Sequence, residues 1–316
     1  MPFRNGSPHI LTNRLLQAAV ADQPSIHVPV MPAEVVEWLS PRSGQVLVDG
    51  TLGGGGHARL LAEQVRDPAG QGLLIALDRD PEAIERAESA LLGLPVILAH
   101  ASFRDLPEVL AEVDHRQVDG VLLDLGLSSD QLDDRRRGFS FNSDGPLDLR
   151  FDPDEGEPAW KLIERLSVEH LTKLISRYGE ERYSPRIARA IVDRRRRDPI
   201  RTSAELAKLV RQCVPGARGG QSIDPATRTF QALRIAVNEE LTALEIALRR
   251  IPDCLRAGGR LAVISFHSLE DRLVKNAWRE QEVMNVLTRR PIRPGEEEIE
   301  RNPRARSAKL RVAERR

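Results

Sequence analysis

The stretch VLVDGTLGGGGH, Val46–His57, decides the fold of this chain. Its first four residues are an apolar run that ends in Asp49, which is typical of a buried strand. Four consecutive glycines, Gly53 to Gly56, then form a loop, and a segment of helical composition begins at Ala58. Glycine permits positive φ and a close approach of backbone to ligand, and a helix N-terminus offers unpaired N–H groups. Strand, glycine loop and helix predict the opening unit of a doubly wound α/β nucleotide-binding domain.

Further apolar strands alternate with helical segments after this loop. Strands buried on both faces of a parallel sheet read as continuous apolar runs, and alternation with helices predicts such a sheet. The predicted strands are Leu73–Asp78, Val96–His100, Val118–Asp124, Ala257–Phe266 and an edge strand at Ala308–Ala313. Only helical periodicity is found from Ala159 to about Val214, which indicates a small all-α domain inserted into the sheet domain.

These patterns divide the chain of 316 residues into an extension and two domains. Residues 1–25 are interpreted as a flexible extension or a short surface helix. Residues 26–130 and 226–316 are assigned to the α/β domain, and 131–225 to the inserted helical domain. Thr227–Leu255 is predicted as one long helix whose apolar face fits either a core or a homodimer surface, and Leu269 to about Val286 as another helix.

Composition limits the classes of protein to consider. The two cysteines, Cys213 and Cys254, are distant and lack a C-x-x-C pattern, which argues against a disulfide framework and a thiolate zinc site. No apolar run approaches the roughly 18 residues of a membrane span, and the N-terminus does not resemble a signal peptide. We therefore expect a cytoplasmic protein with no membrane partner and no catalytic metal.

Net charge is zero, yet the basic residues are unevenly distributed. Between Arg177 and Arg218 there are 12 Arg or Lys against five Asp or Glu, including the run Arg194–Arg197. A GC-rich genome that favours Arg codons explains this excess as well as function does. Because Arg pairs with phosphate and stacks on bases, this stretch and Arg135–Arg137 are nevertheless candidate RNA contacts.

Three side chains are expected to surround the glycine loop at the carboxyl ends of the strands, where open α/β sheets bind ligands. Asp78 lies 22 residues after Gly56 and suits ribose hydroxyls. Phe103 follows the third strand and suits adenine, while Asp124 ends the fourth. The loop also fits the dinucleotide pattern G-x-G-x-x-A, so S-adenosylmethionine and NAD both remain open from the loop alone. No catalytic Tyr-Lys or His-Arg pair of a dehydrogenase is evident.

The segment that begins at Asp124 is more specific. With motifs before and after it, it resembles the MraW/RsmH family, bacterial methyltransferases that modify N(4) of a cytosine in 16S ribosomal RNA. The resemblance covers nearly everything from His27 onward. The matching motifs include GTLGGGGH (Gly50–His57), ALDRDP (Ala76–Pro81), DLGLSSDQLD (Asp124–Asp133), RGFSF (Arg137–Phe141), DGPLDLR (Asp144–Arg150), YGEERY (Tyr178–Tyr183), PATRTFQALRIAVN (Pro225–Asn238) and ISFHSLEDR (Ile264–Arg272).

The resemblance implies a class I, Rossmann-like methyltransferase fold with an inserted all-α domain, S-adenosyl-L-methionine as cofactor, and 16S rRNA or the small ribosomal subunit as partner. The cofactor-binding pattern of the family corresponds here to Gly55, Gly56, His57, Asp78, Phe103, Asp124 and Gln131.

The group that activates the cytosine amine is less defined. Many amino-methyltransferases have D/N-P-P-Y/F after the fourth strand, whereas this chain has Asp124-Leu-Gly-Leu-Ser-Ser. Asp124 is the candidate catalytic residue, and contact with the cofactor alone explains it equally well. Phe139 or Phe141 is a candidate for stacking on the base, with loop packing as the alternative. His57 is interpreted as a cofactor contact, and His267 as either a substrate contact or a structural residue.

Overall fold

The computed structural model describes residues 9–11, 28–141, 144–215 and 224–316. The chain forms two compact units, one made of the residues up to Leu127 together with Leu241–Arg316, the other of Ser128–Glu240. The predicted extension, residues 1–25, lies outside the described residues except for 9–11. No helix in these ranges is long and apolar enough to cross a membrane.

The first unit is built on an eight-stranded sheet in the order β1-β4-β3-β2-β5-β6-β8-β7. The strands are β1 His9–Leu11, β2 Val46–Asp49, β3 Leu73–Asp78, β4 Val96–His100, β5 Val118–Asp124, β6 Leu255–Ser265, β7 Met284–Val286 and β8 Lys309–Arg315. Strands β4, β3, β2, β5 and β6 pair in parallel, whereas β8 is antiparallel to β6. The predicted parallel α/β sheet is confirmed.

Helices cover both faces of this sheet. They are α1 Pro32–Leu39, α2 Gly56–Val65, α3 Pro81–Ala90, α4 Leu106–Glu112, α11 Glu240–Cys254, α12 Ser268–Glu280 and α13 Glu296–Arg301. One apolar core joins α1, α2 and α3 to one face, and a second joins α4, α11 and α12 to the other. Buried strand residues such as Leu74 and Ile75 alternate between the two cores, as the period of two requires.

Three predictions about the ends of the sheet are wrong. Residues 9–11 form β1, paired with β4, rather than an extension outside the core. Strand β8 is not an edge strand, because it lies between β6 and β7. The helix predicted to reach about Val286 ends at Glu280, and β7 follows after a short turn. The alternating sequence of β7 covers only three residues, too few to distinguish a strand by pattern.

The second unit is helical. Its helices are α5 Ser129–Asp133, α6 Ala159–Arg165, α7 Val168–Gly179, α8 Ser184–Arg195, α9 Ser203–Cys213 and α10 Ala226–Asn238. Side-chain caps define several starts: Ser167 accepts from the His170 N–H, and Thr202 forms a capping box with Glu205.

The predicted single helix Thr227–Leu255 is in fact two helices, α10 and α11. Glu239 separates them with a left-handed φ of 52°, and Pro252 lies inside α11 without breaking it. The side-chain amide of Asn238 fixes the end of α10. It accepts a hydrogen bond from the Phe151 N–H at 2.8 Å and donates one to the Leu149 carbonyl at 2.7 Å. These bonds tie α10 to the helical unit, and the compact unit extends to Glu240.

The apolar face predicted for this segment lies in the interior of the chain. Phe230 and Leu233 on α10, and Leu244 and Leu248 on α11, are all at most 5% exposed. The face is therefore occupied by core packing, and the homodimer interpretation of it is not needed to explain the pattern.

The turn from α2 into β3 yields a first testable prediction. A Cβ at Gly72 would lie 1.8 Å from the Val65 carbonyl oxygen, so Gly72→Ala forces the backbone apart. We expect a loss of about 1–3 kcal/mol in the free energy of unfolding, measured by denaturant titration. Gly295→Ala is the matched control in the same unit, since nothing lies within 4 Å of its Cβ position. Equal stability of the two variants would contradict the prediction.

Candidate active site

The glycine loop follows β2 and is shaped by positive φ angles and close packing. Gly53 and Gly55 have φ of 50° and 77°, and Gly55 caps α2. At Gly50 a Cβ would lie 2.6 Å from a Leu123 methyl and 3.0 Å from the Phe103 Cβ, so only glycine fits there. Helix α2 thus begins at Gly56 with its first N–H groups at the carboxyl edge of the sheet.

Asp78, at the end of β3, holds this loop in place. Its Oδ2 accepts from the Gly53 N–H at 2.7 Å, and its Oδ1 accepts from the Asp80 N–H at 2.9 Å. Burial raises the pKa of Asp78 to about 6, against the lowering effect of these two N–H donors. Each carboxylate oxygen retains a second lone pair, so Asp78 can still accept from a ligand hydroxyl.

Phe103 lies just beyond β4, at the same carboxyl edge of the sheet as Asp78. It begins a short 3₁₀ turn, Phe103–Asp105, which is capped by the Ser102 hydroxyl. The ring is half-buried and packs against the second apolar core, which leaves part of it accessible. Asp78, Phe103 and Asp124 thus end or follow β3, β4 and β5, which belong to one parallel series with β2 between β3 and β5, as the sequence predicted for the position of each.

A cluster of three ionisable groups lies beside the loop: Asp49 and His57, which are buried, and Asp124, which is half-buried. Asp49 is fully buried and His57 is 5% exposed. The His57 Nε2 lies 3.5 Å from Asp124 Oδ2. Thr51 connects the two strand ends, because Asp49 Oδ1 accepts from its N–H at 3.0 Å and its hydroxyl accepts from the Asp124 N–H at 2.6 Å.

The charges in this cluster depend on one another. Burial lowers the pKa of His57, but Asp124 and Asp49 outweigh it, so the net shift is upward and favours the imidazolium. Burial raises the pKa of Asp49 to about 6, opposed chiefly by His57. One cation between two carboxylates leaves the cluster with a net negative charge when both are ionised.

Two carboxylate oxygens of the cluster have no hydrogen-bond partner among the residues that the structure describes. They are Asp49 Oδ2 and Asp124 Oδ1. Buried polar atoms are normally paired, so such a set at one place indicates a site completed by a ligand. Negative charge and free acceptors suit a positively charged ligand, such as one with a sulfonium or an ammonium group.

The remaining predicted site residues have structural contacts of their own. Gln131 belongs to the helical unit, where its side chain forms a capping box with Ser128 at the start of α5. Phe139 is buried and stacks on Phe151 at 5.8 Å, and Phe141 contacts the edge of Phe230 at 5.4 Å. These contacts favour loop packing over base stacking for both phenylalanines.

His267 likewise has a structural role. It caps α12, its Nδ1 accepts from the Glu270 N–H at 3.3 Å, and its ring lies against the Glu270 carboxylate. The Glu270 Oε2 accepts in return from the N–H groups of Phe266 and His267. The structural interpretation of His267 therefore has direct support.

The basic runs singled out in the sequence are largely engaged within the helical unit. Arg194 pairs with Asp198, Arg196 lies 3.8 Å from Asp193, and Arg195 donates to the Ile163 carbonyl. Arg136 pairs with Asp134, and Arg137 is 6% exposed beside the same carboxylate. Charge density in the sequence did not reveal which of these cations already had partners.

Sequence reasoning placed Asp49 at the ligand-binding end of its strand but gave it no role, and it did not single out Thr51. The Asp at the end of β2 was visible, but its partnership with His57 and Asp124 depends on the pairing of β2 with β5. Thr51 had no signal at all beyond its place in the loop.

The buried charge of Asp49 predicts a pH-dependent stability of the cofactor-free protein. Since its pKa is about 6 when folded, against a usual value of 3.8, the folded state holds the proton more tightly and unfolding becomes easier as pH rises through this window. Asp49→Asn, which keeps the oxygen facing Thr51, should therefore raise the free energy of unfolding at pH 7.5 by at most about 3 kcal/mol, and by about half as much at pH 5, which lies between the two pKa values.

Denaturant titrations at the two pH values measure this. Asp253→Asn is the control, since that side chain is 83% exposed and its replacement should alter stability by under about 0.5 kcal/mol at both pH values. A change in stability by Asp49→Asn that is the same at pH 7.5 as at pH 5 would refute the role assigned to buried charge.

Comparison with known proteins extends over nearly the whole chain. The model of the MraW methylase family matches residues 24–316. Proteins named ribosomal RNA small subunit methyltransferase H from Rhodopirellula baltica and Syntrophotalea carbinolica are each 50% identical, over 92% of this chain and 91% and 98% of theirs. A solved putative methyltransferase from Streptococcus mutans, in complex with SAH, is similar at 12% identity and a TM-score of 0.43, covering 92% of this chain and 100% of that one. The chain belongs to the MraW methylase family.

Proposed function

We propose that this protein transfers a methyl group from S-adenosyl-L-methionine to the exocyclic N(4) of a cytosine in the 16S RNA of the small ribosomal subunit. Membership of the family and the names of its relatives support the reaction. The structural observation that carries it is the cluster of Asp49, His57 and Asp124, whose free acceptors and negative charge suit a sulfonium cofactor. The two free, buried cysteines suit the reducing cytoplasm, where we place the reaction.

The residues around the glycine loop fit this cofactor. Gly55, Gly56 and His57 begin α2 and offer the backbone N–H groups of its first turn. Asp78 is positioned to accept from the ribose hydroxyls, and the accessible part of the Phe103 ring to pack on adenine. Gln131, the seventh residue of the family pattern, stays a proposal, because its own contacts are those of a helix cap.

Asp124 is our candidate for the group that acts on the substrate amine. The cofactor, when bound, supplies a methyl group already activated by the sulfonium. The cytosine amine is a weak nucleophile because its lone pair is delocalised into the ring. Accepting one amine hydrogen at Asp124 Oδ1 draws the nitrogen out of the ring plane, and the proton released as the N–C bond forms passes to this carboxylate. His57, beside the other oxygen, fixes the orientation of the carboxylate.

Replacement of Asp124 tests this assignment. Asp124→Asn removes one negative charge from the cluster and should raise the Kd for S-adenosylmethionine, yet with the cofactor saturating it should transfer tritiated methyl to small-subunit RNA at least about a hundredfold more slowly, the usual contribution of a positioned proton acceptor. Calorimetry measures the first quantity, and single-turnover labelling followed by nucleoside analysis for N(4)-methylcytidine measures the second.

The control is Asp119→Asn, at the opposite end of the same strand, where the carboxylate accepts from the Val46 N–H and pairs with Arg256. Its loss should lower stability without lowering the rate. Full methylation by Asp124→Asn at saturating cofactor would show that Asp124 does not act on the amine.

A second variant tests the cofactor site. Asp78→Asn replaces one acceptor oxygen by an NH₂ group opposite a backbone N–H, either that of Gly53 or that of Asp80. We expect the Kd for S-adenosylmethionine to rise at least about tenfold. The Kd of the wild type should also rise below pH 6, because Asp78, with a pKa of about 6, then becomes protonated. A Kd unchanged by both the substitution and acid pH would remove Asp78 from the site.

A further inference from the structure

The corner between α7 and α8 concentrates aromatic and basic side chains. It contains Tyr178 and Tyr183, and the chain has only 2 tyrosines. Four exposed arginines accompany them, and we name these six residues the α7–α8 surface. Its members are Arg177, Tyr178, Arg182, Tyr183, Arg186 and Arg189.

The backbone of this corner is held firmly. Glu180 has a left-handed φ of 50°. Glu181 is 4% exposed, and its carboxylate accepts from the Tyr183 N–H at 2.7 Å. Gly179 packs so closely on α10 that a Cβ there would lie 2.4 Å from the Arg228 carbonyl oxygen. The two tyrosines therefore stand on a rigid turn, which reduces the entropy lost when a ligand stacks on them.

Each tyrosine is half-buried and lies beside an arginine. The Arg177 guanidinium is 5.5 Å from the centre of the Tyr178 ring, and that of Arg182 is 4.5 Å from the centre of the Tyr183 ring. Arg182 also donates to the Tyr183 hydroxyl. Half-buried rings flanked by guanidinium groups are the arrangement on which nucleic-acid bases stack.

The arginines of this surface differ from Arg194 and Arg196, the ion-paired members of the basic run in the same unit. Within the described ranges, no carboxylate lies at ion-pair distance from Arg177, Arg182, Arg186 or Arg189; Arg186 reaches only the Gln212 carbonyl, at 3.5 Å. Arg186 and Arg189 are three residues apart and share one exposed face of α8. Farther along the same helix, Arg194 and Arg196 are paired with acids. Cations without acidic partners are the ones available to phosphate.

We propose that the α7–α8 surface binds a single-stranded segment of the RNA substrate, with bases on Tyr178 and Tyr183 and phosphates on Arg182, Arg186 and Arg189. The proposal rests on the proposed function, because it assigns a contact to that substrate. Stacking needs a free base face, so paired RNA suits this surface poorly. The proposal assigns the RNA contact to the arginines that precede the run Arg194–Arg197, although charge density in the sequence favours that run.

The first experiment measures the salt dependence of binding to a synthetic single-stranded RNA of mixed sequence. Arg186→Gln with Arg189→Gln should lower the slope of log K against log salt by about 1.4, at about 0.7 per phosphate contact. Arg194→Gln with Arg196→Gln removes the same charge from the same helix, and we expect the smaller change there. Equal slopes for both double variants, or a larger loss for the second, would overturn the proposal.

The second experiment separates stacking from folding. Tyr178→Ala and Tyr183→Ala should each raise the KM for small-subunit RNA about tenfold, with kcat and the Kd for S-adenosylmethionine unchanged. Tyr178→Phe and Tyr183→Phe keep the ring and should restore the KM to within about twofold. Thermal unfolding of each variant verifies the fold. A KM equal to wild type in both alanine variants would refute the stacking role, as would duplex RNA competing as well as single-stranded RNA.

These outcomes are distinguishable from a failure of the proposed function. If the wild type transferred no methyl group to small-subunit RNA, the reaction itself would be wrong, whatever the salt slopes. If the wild type methylated this RNA and the six-residue surface could be changed without effect on KM or slope, only the surface would be wrongly assigned.

Discussion

A histidine beside two carboxylates, one buried and one half-buried, shapes the carboxyl edge of this sheet. Asp49 and Asp124 end the adjacent strands β2 and β5. Their negative charges repel each other, and His57, which lies beside Asp124, reduces this repulsion. His57 is the second residue of α2, so the glycine loop must place the start of this helix next to the strand ends. The positive φ angles of the loop, the tie from Asp78 to Gly53 and the bridging hydroxyl of Thr51 all serve this placement.

Buried charge at this edge of the sheet lowers the stability of the folded chain. Burial raises the pKa of Asp49 and of Asp78 to about 6, so at neutral pH each carries a charge whose burial destabilises the folded state. A cationic cofactor would offset this destabilisation. The carboxylates that a cationic ligand requires at the strand ends lower the free energy of unfolding, a trade-off that is common at functional sites.

Much of this could be predicted from the sequence, for identifiable reasons. Uninterrupted apolar runs and the four glycines fixed β2 to β5 and the loop, because burial on both faces leaves a strong pattern. Asp78, Phe103 and Asp124 followed from their places at strand ends. The glycine loop alone left the cofactor open between NAD and S-adenosylmethionine, and the family excludes the dehydrogenase. The stop at Glu239 was missed because it depends on Asn238 bonding to residues nearly 90 positions away. Partners of the arginines were equally invisible, since ion pairs depend on tertiary contacts.

The pairing of β5 with β6 has a consequence for how the chain reaches its native state. These neighbouring strands are separated in sequence by the whole of Ser128–Glu240, so their contact closes a very long loop. The entropy of closing it must be lost before any ladder bond is gained, which makes such pairings slow. The helices between them form from local contacts and shorten the effective loop once folded. The inserted unit would thus fold before the sheet is complete. Substitutions that destabilise α7 or α10 would delay the pairing of β5 with β6, although neither helix contributes a residue to these strands.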